Sequence, residues 1–239
     1  MQLSKRLEAI VKLAGTCHCV ADVGTDHGYV PIYLVEQKRI PSAIAMDIRT
    51  GPLERAREHI RMYGMEDYIQ TRLSDGVAAL GPGETDSILI AGMGGGLVIH
   101  ILESGRTVCE QAHGLVLQPQ SELPKVRRFL AENGYVTERE DMVMEDGKYY
   151  PMMRVHYDAS AVSHTDSFTE EQELEFRYGK QLLTEKHPVL LAYLRWEAQL
   201  QQDILTQLSG QPATEQIAAR IDEVKQILAQ NARALAYYE

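Results

Sequence analysis

The chain has 239 residues, of which 44% are hydrophobic and 24% charged, an ordinary balance for a globular protein with a large apolar core. Its length exceeds the usual range of one domain, about 100–200 residues, and predicts one large domain with an appendage. The formal net charge of −10 gives no global support for nucleic-acid binding. A local basic face on an acidic protein remains compatible with that function.

The sequence predicts a cytoplasmic protein without a metal site or a membrane anchor. No apolar stretch approaches the roughly 20 residues of a membrane span. The residues around Lys5 and Arg6 have no apolar run behind their charges, so they do not form a signal peptide. Three cysteines, Cys17, Cys19 and Cys109, do not form a disulfide framework, and no second Cys or His pair lies nearby to complete a zinc site.

Strands and helices alternate over the first two thirds of the chain. The predicted strands cover residues 19–23, 43–47, 69–73, 87–91, 114–119, 135–143 and 152–156. The predicted helices begin after Ser4, near Gly28, at Pro52, after the glycine run at residues 92–96, and after a Ser121 cap. This alternation specifies a parallel sheet covered on both faces, with an antiparallel strand permitted at its end. The predicted fold class is therefore α/β, with a Rossmann-like sheet.

The pattern changes to helices alone after a polar, linker-like segment at residues 158–167. Helices are predicted to begin at Thr169 and at Pro188, and a third is capped by Thr214. Apolar residues recur at steps of three and four along the last two helices: Val189, Tyr193, Trp196, Leu200, Ile204 and Leu208, then Ile217, Ile221, Val224, Leu228, Asn231 and Leu235. We predict a C-terminal α-helical coiled-coil hairpin, with Asn231 fixing its register, and domains at residues 1–160 and 161–239.

The segment at residues 20–29 organises the first domain. A strand ends in Asp22, a turn containing Gly24 follows, and a helix opens at Gly28. Because glycine has no Cβ, a ligand can approach this backbone closely. Asp22 and Asp26 flank the turn, and carboxylates there would repel the pyrophosphate of a dinucleotide. They suit a ligand with an ammonium or sulfonium group and ribose hydroxyls, such as S-adenosylmethionine.

Further acids end the neighbouring strands. Asp47, followed by Ile48, lies about 20 residues beyond the glycine turn, where an acid commonly binds a ribose diol. Asp75, with Gly76, is placed to accept a hydrogen bond from the N6 amino group of adenine. A helix cap is the alternative role for either acid. Because ligands of such sheets bind beyond the carboxyl ends of the strands, these residues are predicted to meet at one site.

A glycine-rich loop at residues 91–95, Ala-Gly-Met-Gly-Gly, follows the fourth of these strands. It occupies the position of the target-recognition motif in class I methyltransferases, without the Asn/Asp-Pro-Pro-aromatic sequence of many amino-methylating members. The glycines allow a flat base to approach the backbone, with Met93 against the ring or the methyl group. A turn that serves only tight helix packing is the alternative. Gln118 and Pro119 end the next strand and are predicted to face the same cleft.

Asp26 and His27 form the least expected pair in the sequence. If the helix begins at Gly28, Asp26 lies at the mouth of the cleft. There it can orient the methionine amino group or accept a proton from a substrate amine. A buried neutral cap is the alternative role for His27.

Five segments form a pattern more specific than any one motif: Leu3-Ser4-Lys5-Arg6-Leu7, Ala21 to His27, Gly51-Pro52, Ala91 to Gly95, and Leu117-Gln118-Pro119. Together they resemble the bacterial tRNA (adenine-22-N1)-methyltransferase family, and the resemblance covers nearly the whole chain, including the C-terminal hairpin. Family members often carry Ser at position 25, Ala at position 28 and Glu at position 47. These are mild departures, because either acid at position 47 can bind a ribose.

The resemblance implies S-adenosylmethionine as methyl donor and N1 of adenine 22, in the D-arm of tRNA, as acceptor. Adenine N1 has a free lone pair at neutral pH, so catalysis depends on aligning N1, methyl and sulfur rather than on a strong base. The predicted catalytic residues are Asp26, Met93 and Gly94, with Asp26 accepting from the substrate N6 amino group. The predicted cofactor-binding residues are Asp22, Gly24, Asp26, His27, Gly28, Asp47, Ile48, Asp75, Gly76, Ala91 and Gly92.

A base in folded tRNA must be exposed or extruded before it reaches such a site. The predicted substrate-binding residues are Met93, Gln118 and Pro119 at the base, and Lys5, Arg6, Lys125, Arg127 and Arg128 at phosphates. Each cation, taken singly, is better explained as part of a solvated helix face. The C-terminal hairpin is predicted to be a tRNA-binding arm.

Two other functions stay open: a methyltransferase acting on a small molecule or protein, and a non-catalytic S-adenosylmethionine-binding interaction module. The sequence indicates no oligomeric state.

Overall fold

The computed structural model describes residues 1–163, 167–212 and 214–239. The chain divides into two compact units, residues 1–166 and 167–239. The first unit contains a seven-stranded sheet with helices on both faces, which confirms the predicted α/β, Rossmann-like class. The described part of the second unit contains helices and no strand.

The sheet has the order β3-β2-β1-β4-β5-β7-β6. Its strands are β1 (Cys19–Val23), β2 (Ser42–Asp47), β3 (Ile69–Leu73), β4 (Ser87–Met93), β5 (Gly114–Pro119), β6 (Tyr135–Glu145) and β7 (Lys148–Tyr157). Strands β1 to β5 pair in parallel, whereas β7 is antiparallel to both β5 and β6, as the sequence permitted. The carboxyl ends of β1, β2 and β4 therefore meet at one edge of the sheet.

Two apolar cores cover the two faces of this sheet. The helices of the first unit are α1 (Lys5–Ala14), α2 (Tyr29–Glu36), α3 (Thr50–Met62), α4 (Gly95–Ser104), α5 (Arg106–Gln111) and α6 (Leu123–Glu132). Successive β1 residues alternate between the cores: Val20 packs in the core that contains α1 and α2, and Ala21 in the core that contains α4 and α6. All of β1 beyond Cys19 is buried, because both of its faces are covered.

Several element boundaries differ from the predicted ones. Strand β4 continues two residues beyond Ala91 to Met93, with a register shift between them. Helix α3 begins at Thr50 rather than at Pro52. Ser121 does not cap α6: the N-cap is Glu122, and the Ser121 hydroxyl instead accepts a hydrogen bond from the backbone N–H of Gly95 at 3.2 Å. A side chain that the sequence places at the start of one helix can thus form its hydrogen bond with the start of a different helix that lies beside it in the fold.

The second unit contains α7 (Glu170–Tyr178), α8 (Lys180–Thr184), α9 (Pro188–Ser209) and α10 (Glu215–Ala236). Thr169 and Thr214 cap α7 and α10 as predicted, and α9 begins at Pro188. The amide of Asn231, late in α10, donates to the carbonyl of Leu194, early in α9, at 2.9 Å. The two long helices therefore run antiparallel, as the predicted hairpin requires.

The predicted inward stripe of α9 is wrong in part. Trp196 and Leu200 are 50% and 39% exposed, whereas Leu190, Leu194 and Glu197 are the buried residues of this helix. Apolar residues lie on more than one face of α9, so their spacing alone does not identify which face is buried.

A buried carboxylate forms the polar centre of the second unit. Glu197 is only 4% exposed and accepts hydrogen bonds from the Arg177 guanidinium, the Tyr178 and Tyr193 hydroxyls and the Asn231 amide, at 2.7–3.1 Å. These partners offset the cost of removing the charge from water. The Asn231 amide is thus bonded to two residues of α9, Leu194 and Glu197, and its role in fixing the register stays a prediction.

Among the described residues, no helix is both long and apolar enough to cross a bilayer. In the same part of the chain, no group of three or more His, Cys, Asp or Glu side chains is arranged to hold a metal ion. Cys17, Cys19 and Cys109 are free thiols.

Candidate active site

Two adjoining cavities lie at the carboxyl ends of the parallel strands. The strand-end cavity, of about 380 Å³, is lined by Val23, Gly24, Asp26, Asp47, Ile48, Arg49, Ser74, Asp75, Gly76, Ala91, Gly92, Met93, Leu97 and Ile101. The α1 cavity, of about 270 Å³, is lined by Arg6, Leu7, Ile10, Asp22, Gly24, Thr25, Asp26, His27, Tyr29, Val30 and Ala91. Gly24, Asp26 and Ala91 belong to both linings, so the cavities meet at the glycine turn.

The strand-end cavity combines acids with exposed apolar side chains. Asp47 is 6% exposed at the end of β2, and its Oδ1 accepts the backbone N–H of Arg49 at 2.8 Å. Ile48 and Leu97 line the same cavity, although they are 59% and 47% exposed. Large apolar side chains left open beside a few convergent polar groups are typical of a small-molecule site.

The turn at Gly24 connects the end of β1 with the ends of β2 and β4. The N–H groups of Gly24 and Thr25 donate to the Met46 carbonyl of β2, at 2.8 and 2.9 Å. Gly24 has a φ of +75°, and a Cβ on it would lie 2.4 Å from Cε of Met93, at the end of β4. The left-handed backbone angle favours glycine here, because a side chain would be strained at this φ, and Met93 would have to move to admit a Cβ.

Asp22 carries a charge that its surroundings do not compensate. It is 7% exposed, and its only hydrogen bond among the described residues comes from the Thr25 hydroxyl, at 2.7 Å. Burial raises the pKa of Asp22 to about 6, the Thr25 hydrogen bond lowers it, and the nearby charge of Asp47 raises it. A buried carboxylate beside a cavity and without a cation is a site that favours a cationic ligand.

Arg6 lies in the wall of the α1 cavity, not on the open face of α1. Its Nη1 donates to Gln118 Oε1 at 3.0 Å, and its guanidinium lies 5.6 Å from the centre of the Tyr150 ring. Gln118 is fully buried, and the same Oε1 accepts the N–H of Gly92 at 3.2 Å. The expectation that Gln118 faces the cleft is therefore wrong: it holds two residues that line the cavities.

Asp26 lines both cavities, as its predicted place at the cleft mouth requires. Its backbone has a φ of +47°, and its carboxylate is 55% exposed. Oδ1 accepts from Nη2 of Arg55 on α3 at 2.6 Å, and Oδ2 lies 3.5 Å from Nε2 of His27. No sequence pattern indicates Arg55, because its contact with Asp26 depends on how α3 packs beside the turn.

His27, Tyr29 and His59 form an aromatic cluster beside the α1 cavity. Their ring centres lie 5.1–5.3 Å apart in each pair, and the ring planes differ by 10–20°. Nδ1 of His59 lies 2.9 Å from the His27 carbonyl. Tyr29 is 39% exposed. Three nearly parallel rings with an open edge provide a surface on which another flat ring can stack.

Most of the predicted site residues line these cavities: Asp22, Gly24, Asp26, His27, Asp47, Ile48, Asp75, Gly76, Ala91, Gly92 and Met93. Four do not. Gly28 and Gly94 are the N-caps of α2 and α4, and Gln118 and Pro119 are buried in β5. Sequence reasoning missed Thr25, Arg49, Ser74, Leu97 and Ile101, and it assigned Arg6 to phosphate.

The residues predicted to contact phosphate lie in different environments. The structure contradicts the role expected for Arg127, which is 7% exposed and paired with the buried Glu140 at 2.9 Å. Lys125 is exposed but lies 3.3 Å from Glu122. Lys5 is exposed at the start of α1. Arg128 is half-buried and has its own partner within the chain.

This sheet order, with acids at its strand ends around a glycine turn, defines a Rossmann-like methyltransferase. In agreement, residues 3–153 match the methyltransferase domain family.

A tRNA (adenine(22)-N(1))-methyltransferase of Bacillus subtilis is 32% identical over 226 residues, covering 94% of this chain and 93% of that one. The crystal structure of the B. subtilis m1A22 tRNA methyltransferase TrmK superposes with a TM-score of 0.82 at 30% identity, over 98% of each chain. A Streptococcus pneumoniae structure in complex with S-adenosyl-L-methionine has a TM-score of 0.78 at 30% identity, over 95% of this chain and 100% of that one. The chain belongs to the tRNA (adenine(22)-N(1))-methyltransferase family.

The raised pKa of Asp22 predicts how the stability of the ligand-free protein depends on pH. Because the folded-state pKa, about 6, exceeds the ordinary value of 3.8, the contribution of Asp22 is fully present below pH 3.8 and is lost as the pH rises through 6. Relative to Asp22→Asn, the wild type should lose on the order of 2 kcal/mol of unfolding free energy between pH 4 and pH 7. Urea unfolding across this range measures the difference.

Thr25→Val serves as the companion variant. It removes the hydrogen bond that favours the ionised form of Asp22, so the pH-dependent loss should extend to higher pH. Parallel stability curves for the wild type and Asp22→Asn over the whole range would show that Asp22 does not titrate as described.

Proposed function

We propose that this protein transfers a methyl group from S-adenosylmethionine to N1 of adenine 22 in tRNA. The observation that carries the proposal is the convergence of Asp47, Asp75 and Met93 on one cavity, joined at Gly24 to a second cavity with Asp22. Family membership supports the same reaction, and the relatives' printed activities supply the position in tRNA. The reaction would take place in the cytoplasm.

The cavities fit the chemical groups of S-adenosylmethionine. Asp47 is placed to bind the ribose hydroxyls, and Ile48 and Leu97 offer apolar surface to the adenine, with Asp75 and Gly76 at its polar edge. Asp22, a buried carboxylate without a cation, fits the α-ammonium group. When bound, the cofactor supplies an electrophilic methyl group on a sulfonium.

The residues of the chain then have to position the acceptor rather than activate it. Adenine N1 attacks through its own lone pair, so alignment and tolerance of the cationic product provide most of the rate enhancement. Met93 lines the strand-end cavity with its Cε next to Gly24, where it can contact the reacting groups. Asp26 lines both cavities and is our candidate to accept a hydrogen bond from the substrate N6 amino group as positive charge develops there. Arg55 fixes the orientation of its carboxylate.

The aromatic cluster favours a nucleic-acid acceptor over a protein or a small polar molecule. A base leaving the tRNA stack loses stacking, and Tyr29 beside the α1 cavity offers a ring to replace it.

Two arginines lie near the cavities: Arg55 is 47% exposed and pairs with Asp26, and Arg49 is 76% exposed and lies 3.9 Å from Asp47. Lys5 is exposed at the start of α1. We propose these residues as the cations that meet tRNA phosphates on this acidic protein.

We also propose the C-terminal hairpin as a tRNA-binding arm. Residues 167–239 contain seven Lys and Arg against eleven Asp and Glu. An arm of this composition would contact RNA through shape and a few cations rather than through a basic surface.

The proposed reaction predicts which nucleotide receives the labelled methyl group. Incubation with methyl-labelled S-adenosylmethionine and a tRNA transcript containing adenine 22 should label the RNA and block reverse transcription at that nucleotide, because N1 methylation removes the pairing edge. Asp47→Ala should abolish labelling through loss of the ribose contact, whereas Asp47→Glu should retain it. Label that persists when adenine 22 is replaced, or that enters protein instead, would contradict the proposal.

Substitution of Tyr29 tests the aromatic cluster. Tyr29→Leu keeps an apolar wall for the α1 cavity but removes the ring, and loss of one base stack should raise the KM for tRNA roughly 5- to 100-fold. The Kd for S-adenosylmethionine should stay within about threefold, since no stacking of the cofactor is lost. Tyr29→Phe, which keeps the ring, is the control. Steady-state kinetics measure the KM for tRNA of each variant. An equal rise in KM for Tyr29→Phe and Tyr29→Leu would assign the effect to the hydroxyl group.

A further inference from the structure

The segment that follows β5 is bound to the end of β4 and to the start of α4. The backbone N–H of Gln120 donates to the Met93 carbonyl at 2.8 Å. The N–H of Gly95 donates to Ser121 Oγ at 3.2 Å, and a Cβ on Gly95 would lie only 2.5 Å from the Ser121 carbonyl oxygen. Gln120 therefore keeps a fixed backbone position beside Met93, our candidate to contact the reacting groups.

The side-chain amide of Gln120 lies beside an open part of the wall of the strand-end cavity. Gly92 lines this cavity, is exposed, and has a φ of +78°. A Cβ on Gly92 would lie 3.7 Å from Nε2 of Gln120 and 3.5 Å from Nη1 of Arg6. Because no side chain covers Gly92, a flat ring can approach this backbone with its edge toward the Gln120 amide.

The Gln120 amide is available to a ligand, because it is exposed and forms no hydrogen bond with any of the described residues. The amide of Gln118, two residues earlier, is instead buried, and its oxygen accepts from Arg6 and Gly92. A neutral donor and acceptor at the cleft, the role first expected of Gln118, is thus present at Gln120.

The chemistry of the acceptor decides which edge of the base such an amide can bind. Adenine N1 has to face the sulfonium methyl group, so the Watson–Crick edge must stay open. The Hoogsteen edge presents the N7 acceptor and one N6 hydrogen, which a glutamine amide matches with two hydrogen bonds. Guanine presents two acceptors, N7 and O6, on the same edge, so this pair of hydrogen bonds distinguishes adenine from guanine.

We propose that Gln120 binds the Hoogsteen edge of the acceptor adenine, with Nε2 donating to N7 and Oε1 accepting from the N6 amino group. The inference rests on the proposed function and adds to it a residue that selects the base. It is compatible with the role proposed for Asp26, because the N6 amino group has two hydrogens. One points toward N7 and is bound by Gln120, and the other points toward N1 and stays available to Asp26.

Full-length tRNA with 7-deazaadenine at position 22 tests the inference, because this base has C–H in place of N7 and keeps N1 and the N6 amino group. The wild type should methylate it with a kcat/KM about 3- to 30-fold lower than adenine-22 tRNA, as expected for loss of one hydrogen bond. Gln120→Met keeps the length of the side chain without the amide. Its kcat/KM on adenine-22 tRNA should fall about 5- to 100-fold, and it should distinguish the two bases by less than about twofold. Gln120→Glu keeps an acceptor for N6 but not the donor to N7, so it should also lose the preference for adenine.

Gln111→Met is the matched control. Gln111 is also exposed, but it ends α5, which leads into the opposite end of β5. This variant should behave like the wild type on both tRNAs. The Kd for S-adenosylmethionine should stay within about twofold in every variant, because the amide of Gln120 is assigned to the acceptor and not to the cofactor.

Three results would overturn the inference. If Gln120→Met still prefers adenine over 7-deazaadenine, another group binds N7. If the wild type methylates both tRNAs equally well, N7 is not bound at all. If the Kd for S-adenosylmethionine rises together with the loss of activity in Gln120→Met, the residue has a structural role. In each case, methylation of adenine 22 by the wild type leaves the proposed function intact, whereas a wild type that methylates neither tRNA would contradict the proposed function itself.

Discussion

The glycine turn after β1 is the constraint on which the site depends. Its backbone donates two hydrogen bonds to the end of β2, and Met93 at the end of β4 packs where a side chain of residue 24 would lie. Three strand ends are thereby held together without any polar side chain. This leaves the acids free to face the cavities, because the backbone of the turn needs none of them for its own hydrogen bonds.

The charged side chains of the two cavities then indicate which charges a ligand must carry. Asp22 is buried without a cation, and Arg6 is ordered without an anion, in one cavity that joins a second one rimmed by Asp47 and Asp75. Such an arrangement costs stability in the empty protein and gains affinity for a ligand that supplies the missing charges. Asp22 thus differs from Glu197 of the second unit, a buried carboxylate that accepts hydrogen bonds from Arg177, Tyr178 and Asn231.

The sequence predicts the sheet and the strand-end acids well because both follow from short-range patterns. Asp22 and Asp47 lie at the ends of apolar runs, and Asp75 follows the third strand, so these acids lie at one edge as soon as the strands are parallel. Contacts between elements distant in sequence are not predictable in this way. Arg55 reaches Asp26, Ser121 bonds to Gly95, and Arg127 pairs with Glu140, each depending on packing rather than spacing. The contact between Arg6 and the buried Gln118 is likewise not indicated by the sequence of its helix, and the predicted phosphate contact of Arg6 stays a prediction.

A crystal structure of this chain with S-adenosylhomocysteine would test the central claim most directly. The account predicts the ribose hydroxyls on Asp47, the adenine between Ile48 and Leu97, and the amino-acid end in the α1 cavity beside Asp22. A nucleoside bound outside the strand-end cavity, or an amino-acid end that extends away from Asp22, would contradict it.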